Sequence, residues 1–154
     1  MPGIRGDGFV RVTGIRDLQR ALRDVADDLP KELGLANQKV AQHIVDEATS
    51  AAEALGPLWA RAAESMKAAR KQRVAAINFG GARHPEALGA EFGAGQNVLR
   101  NTSRGVIPGW NQFPPWRGSD TGAGYFLFPT IRREGDRIVD LYGQVLEDLI
   151  ARHF

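Results

Sequence analysis

The stretch PKELGLANQKVAQHIVDEATSAAEALGP, residues 30–57, decides the fold. Its apolar positions Leu33, Val40, Ile44, Ala48, Ala51 and Leu55 recur at three-, four- and seven-residue steps, which gathers them on one face of an α-helix. Pro30 suits a first helical position, and Gly56-Pro57 closes the far end. About 25 residues at ~1.5 Å rise predict a rod of roughly 38 Å, the longest element of the chain. A rod with one apolar stripe must find other elements to cover it. Upstream, Ile15, Leu18, Leu22, Val25 and Leu29 predict a shorter amphipathic helix. Before it, Phe9–Thr13 alternates like a strand, and residues 1–8 read as a Gly-rich flexible arm.

Downstream, residues 58–71 are Ala-rich and predict a helix with Trp59, Ala62, Ala63 and Met66 on its apolar side. Residues 73–79, with Val74, Ile77 and Phe79 before Gly80-Gly81, predict a strand. A short helix over 85–92 follows, closed by Gly93. From Gly93 to Gly124, Gly, Pro, Asn and Ser interrupt every periodicity, which predicts an extended loop. Loops beyond about 12–15 residues are uncommon in compact domains and are usually functional or disordered. Tyr125–Phe128 reads as a buried strand stopped by Pro129. Ile138, Leu141, Val145, Leu146 and Leu149 mark a terminal amphipathic helix. Residues 1–154 therefore read as one α+β domain, a small, mainly antiparallel sheet against long helices.

Composition narrows the class. The chain has 154 residues, 43% hydrophobic and 25% charged, the balance of a globular domain. No apolar run approaches the roughly 18 residues of a membrane span, and the first residues lack a signal-peptide core, so an intracellular protein without a membrane partner is expected. The absence of cysteine excludes disulfides and thiolate chemistry. A pI near 9.3 beside a net charge of only +2 reflects arginine, which supplies sixteen of the twenty bases. The basicity is regional: residues 1–56 hold seven bases and nine acids, 57–117 nine and three, 118–154 four and six.

Motifs for chemistry fail one after another. His43, His84 and His153 have no second ligand at metal-binding spacing. Asp46 and Glu47 are neighbours that diverge around a helix. Gly93-Ala94-Gly95 and Gly122-Ala123-Gly124 lack the third glycine of a dinucleotide fingerprint, and Ser65, Ser103 and Ser119 lack a nucleophile elbow. No enzyme, metal or cofactor is expected. Two features remain. Trp110, Phe113 and Trp116, with Arg117 beside them, put the aromatic anchors typical of interfaces on the 93–124 loop. Arg61, Lys67, Arg70, Lys71, Arg73 and Arg83 form a basic segment. It could touch DNA phosphates or an acidic partner, or simply be a solvated face.

Taken in order, the opening helix, the long helix ending at Gly56-Pro57, the segment Ala90-Glu91-Phe92-Gly93 and the segment from Tyr125 through Pro129 to Arg132 before a terminal helix resemble a phage family. It is the head-tail joining or tail-completion (minor tail component) family of long-tailed double-stranded DNA phages, the lambda Z-like proteins. The chain departs from the family pattern where relatives carry Pro-Val-Asp-Thr-Gly after the long helix, and Ala94 stands in place of Thr after Glu-Phe-Gly. The resemblance implies a non-enzymatic virion protein assembled in the bacterial cytoplasm. It would form a ring of its own copies, most often six, between the DNA-filled head and the tail. Its partners would be neighbouring neck and tail proteins and the DNA passing through the lumen. A tail terminator ring is the alternative within that reading, and a non-specific DNA-binding module using segment 61–83 is the alternative outside it.

Overall fold

The computed structural model describes residues 3–4, 10–11, 29–72, 74–95, 99–108, 112–118 and 122–153. Helix α1 (Leu29–Leu55) is the predicted rod. Leu33, Val40, Ile44 and Ala48 are buried on it, and so are Ala36, Ala41, Val45 and Ala52, so the covered face is wider than one stripe. Leu55 stays 43% exposed because the helix outruns the core at its last turn. Helix α2 (Pro57–Ala63) begins at once, with Pro57 in its first turn and Gly56 at φ +133° making the corner.

The helix predicted over 58–71 stops at Ala63. The amides of Glu64, Ser65 and Met66 each bond the carbonyl three residues back, which tightens the final turn. The Ser65 hydroxyl donates to the Ala62 carbonyl (2.7 Å) and accepts from the Gly80 amide (2.9 Å), the local competition by which serine ends helices. The chain then runs as β3 (Lys67–Ala69), antiparallel to β4 (Ala76–Asn78) with Ala68 opposite Ile77. Strands β1 (Gly3–Ile4) and β2 (Val10–Arg11) form a second antiparallel pair, so part of the supposed flexible arm is paired. The rest of that arm, most of the predicted 9–13 strand and the predicted helix from Ile15 lie outside the described residues, apart from the Leu29 end of that helix, which opens α1.

Helix α3 (Ala87–Phe92) falls within its predicted range. The 93–124 segment, expected to be irregular throughout, contains a third antiparallel pair. It consists of β5 (Leu99–Thr102) and β6 (Gly105–Pro108), joined by Ser103-Arg104. The Thr102 hydroxyl donates to the Gly105 carbonyl (2.7 Å), and Gly105 takes φ +110° to close the turn. The predicted Tyr125–Phe128 strand is instead the entry to helix α4 (Leu127–Arg133), with Pro129 in its first turn, where no amide is needed. Helix α5 (Gly135–His153) is the predicted terminal helix.

Helix α5 lies antiparallel to α1. Contacts run from His43–Glu134 (3.0 Å) through Asn37–Tyr142 (2.8 Å) to Glu32–Arg152 (3.9 Å). Between the helices sits one core built around Val40, Ile44, Met66, Phe126, Ile138 and Tyr142, with Phe79 edge-on to Phe126 at 5.8 Å. The architecture is α+β, as predicted: long helices with small antiparallel strand pairs. No described helix is long and apolar enough to cross a membrane.

Asn37 is the polar centre of this core. Fully buried, its carboxamide donates to the carbonyls of Lys71 (2.9 Å) and Gln72 (3.1 Å) and accepts from the Tyr142 hydroxyl (2.8 Å), tying the β3–β4 connection to both long helices. Burial pushes the Tyr142 hydroxyl up to about 12, against a smaller opposing pull from the Ala75 backbone. Tyr142→Phe leaves the Asn37 oxygen buried and unpaired, so about 1–3 kcal/mol of stability is expected to be lost in denaturant titrations. Because the folded value is raised, the tyrosine's contribution is present below pH 10 and disappears as pH climbs through the folded value. The Tyr142→Phe protein should lack that alkaline loss.

Candidate functional site

The site is built on Glu91, one of two acids in the otherwise apolar 85–95 stretch. Ala87, Ala90 and Glu91 share the inward face of α3, so the helix drives a carboxylate into the core, where it is 0% exposed. There it meets the N-terminus of α4. Oε2 accepts the amides of Phe126 (3.1 Å) and Leu127 (2.9 Å), and Oε1 accepts that of Phe128 (2.9 Å). These are amides that a helix start leaves without intrahelical partners. Burial raises the Glu91 carboxyl above its ordinary value, while the amide bonds pull the other way. Gly124, at φ +90°, makes room: a Cβ there would collide with Glu91 Oε1 and stand 2.8 Å from Phe128 Cβ.

Around this cap the two ends of the long loop are bound together. The Arg117 amide donates to the Phe92 carbonyl, the Ala94 amide to the Pro114 carbonyl (2.9 Å) and the Gly124 amide to the Arg117 carbonyl (2.8 Å). The Tyr125 hydroxyl donates to the Pro115 carbonyl (2.7 Å), and the Arg117 guanidinium stacks on the Tyr125 ring at 4.1 Å. Ala94 and Pro115 form a parallel bridge. Residues 113–118 are thus a strap across α3, and the segment between its two fastenings carries the β5–β6 hairpin.

Phe113 lies over Gly89, where a Cβ would come within 2.7 Å of three ring atoms, and is half-buried. Its ring packs inward on α3 as an anchor of the strap. Trp116 is 60% exposed, with its ring folded against Gly118. Arg117 is exposed beside it, and Trp110 lies outside the described residues.

The basic segment does not hang from one element. Arg61, on α2, reaches Glu86 (3.7 Å) at the rim of a groove of about 290 Å³ that Phe113 also lines. The backbone of Lys71 and the stem of Arg70 lie on α1, at Asn37 and Gly34. Lys67 pairs opposite Asn78 in β3, Arg83 is exposed in the turn before α3, and Arg73 lies outside the described residues. His84 meets Glu86 (3.3 Å). The Glu86 carboxyl is held low first by its own backbone amide, with His84 and Arg61 adding to the effect. His43 meets Glu134, and its hydrogen bond is the main cause of that carboxyl's lowered value.

The residue that sequence reading missed is Glu91. Its signal was a single acid at the i, i+4 step from Ala87, on an otherwise apolar helical face. Compared with protein-family models, with curated proteins and with solved structures, the chain matches none of them.

Proposed function

We propose that this chain is a structural protein of a phage neck, assembling with its own copies into a ring that joins the DNA-filled head to the tail. The sequence resemblance supplies the biological setting. The observation that carries the reading is the pairing of an exposed Trp116 with a strap fastened at Phe92, Ala94, Arg117 and Tyr125. An aromatic side chain held rigidly in water has already lost its conformational freedom, so docking it costs little further entropy. Large aromatics of this kind dominate interface energetics.

Trp116→Ala removes exposed surface and no core contact, so its melting temperature should stay within about 2 °C of the parent. Electron micrographs of lysates complemented with Trp116→Ala should then show heads and tails unjoined. Normal tailed particles would overturn the reading. Micrographs of the purified protein added to tails separate a neck ring from a terminator ring by which end of the assembly it occupies.

The DNA-binding module finds less support, because Arg61 is engaged with Glu86 and the described bases are distributed over α2, β3 and the turns after β3 and before α3.

A further inference from the structure

Among the described residues the β5–β6 hairpin is an arm with no third strand beside it. Residues 101–106 are all exposed, Val106 at 59%. Four residues per strand at roughly 3.3 Å each give it a reach of about 13 Å. The chain on either side of it is joined by the bond from the Ala94 amide to the Pro114 carbonyl. From Phe92 to Ser119 the chain contains Arg100, Arg104 and Arg117 and no acid at all. An arm with exposed Val106 and Arg104, on an acid-free stretch that also carries the exposed Trp116, suits an acidic protein surface with apolar ground. A phosphate backbone offers no partner for the valine or, in a duplex, for the indole.

This chain carries such a surface. On α5, Asp136, Asp140 and Glu147 stand at i, i+4 and i+11, which places them within about 40° of one another around the helix. All three are exposed, and none makes an ion pair with another described residue. Ile150, 54% exposed, borders the stripe three residues beyond Glu147. Within one copy Asp136 and Asp140, at i, i+4, repel each other. A cation from a neighbouring copy would relieve that repulsion.

We infer that the basic arm of one copy docks on the acidic outer face of α5 of the next copy. Arg104 would face Asp140 and Glu147, and Val106 would lie toward Ile150. The contact is head-to-tail, one patch meeting a different patch, which builds a ring where the rotation between copies closes. It rests on the reading that the chain assembles with itself, and it names the two surfaces that meet.

Sedimentation velocity on the full chain tests it. Arg104→Glu alone and the pair Asp140→Arg with Glu147→Arg should each weaken self-association about tenfold, the scale of one or two exposed charge pairs turned repulsive. Circular dichroism should be unchanged in both. Combining all three substitutions should restore association, and raised salt should weaken only the parent and the restored protein. Association indifferent to either set, or not restored by the combination, overturns the docking. If such proteins still form rings on tails in micrographs, the neck reading survives that failure. A parent chain that neither self-associates nor decorates tails removes both. Loss of duplex-DNA binding by Arg104→Glu with association intact assigns the arm to nucleic acid and overturns the proposal.

Discussion

Glu91→Ala is expected to lower the stability of the domain by about 3–6 kcal/mol, since it strips the acceptor from three amides that burial separates from water, at roughly 1–2 kcal/mol each. Against the 5–15 kcal/mol typical of whole domains, that is a large fraction. With about 2–4 °C per kcal/mol for a chain of this size, the melting temperature should fall by about 10–20 °C. Glu91→Gln separates the hydrogen-bond role from the charge. The amide oxygen can still serve the Phe126 and Leu127 amides, while its NH2 group faces the Phe128 amide donor to donor. A loss of about 1–2 kcal/mol is expected, less than for alanine.

The same residue sets a pH signature. Because burial raises the folded Glu91 value above 4.5, its contribution is fully present below pH 4.5 and is lost as pH rises through the folded value. Glu134 behaves oppositely. His43 depresses its folded value, so its contribution is present above pH 4.5 and lost as pH falls through that lower value. Thermal melts of Glu91→Gln between pH 3 and pH 8 should therefore keep the acid-side loss and no longer show the decline above pH 4.5. A parent and a variant with parallel profiles would show that Glu91 does not titrate in this window.

The contrast between α1 and α4 explains what the sequence could and could not convey. Periodicity is a local signal, and for α1 and α5 local and tertiary preferences agree. Leu33, Val40, Ile44 and Ala48 are buried where their spacing puts them. In the Tyr125–Phe128 run, four apolar residues before a proline suit a buried strand and a helix entry equally. What decides for helix is the Glu91 carboxylate, 35 residues away from the first amide it accepts, which no window of residues contains. The Ala-rich 58–71 segment fails for a similar reason. Its propensity is helical, but Ser65 bonds Gly80, fifteen residues on, and the chain turns into β3. The β5–β6 hairpin was hidden because its turn is Ser103-Arg104, without an Asn-Gly or Asp-Gly pair to announce it. The aromatic signal in the loop was legible only as a group. Phe113 needed the missing side chain of Gly89 to be seen as an inward anchor, and that leaves Trp116 as the outward one among the described aromatics of the loop.

Gly93→Val should separate the arm from the domain that carries it. Gly93 holds φ +76°, where a β-branched residue is strained, at a cost on the order of 1–2 kcal/mol. Space is the larger obstacle. A Cβ at this position would collide with the Pro115 carbonyl oxygen and lie 2.7 Å from that of Pro114, and both are backbone atoms of the strap that cannot rotate away. The strap must lift, taking with it the bonds from Arg117 to Phe92 and from Ala94 to Pro114. The core between α1, α4 and α5 shares no atom with these contacts, and the Glu91 carboxylate binds the α4 amides directly. The variant should therefore keep its helical circular dichroism and a cooperative melt, lowered by about 5–10 °C, while trypsin cuts after Arg117 at least about tenfold faster, as local opening replaces global unfolding. Arm and Trp116 would then be present but no longer held in place. Assembly should fail as completely as in Trp116→Ala, although every side chain proposed to touch a neighbour is intact. Gly93→Val with full assembly would mean that the interface needs the arm's residues but not its anchorage. Equal loss in both variants would assign the role of the buried Glu91–Gly93 corner to presentation, by way of the strap it fastens.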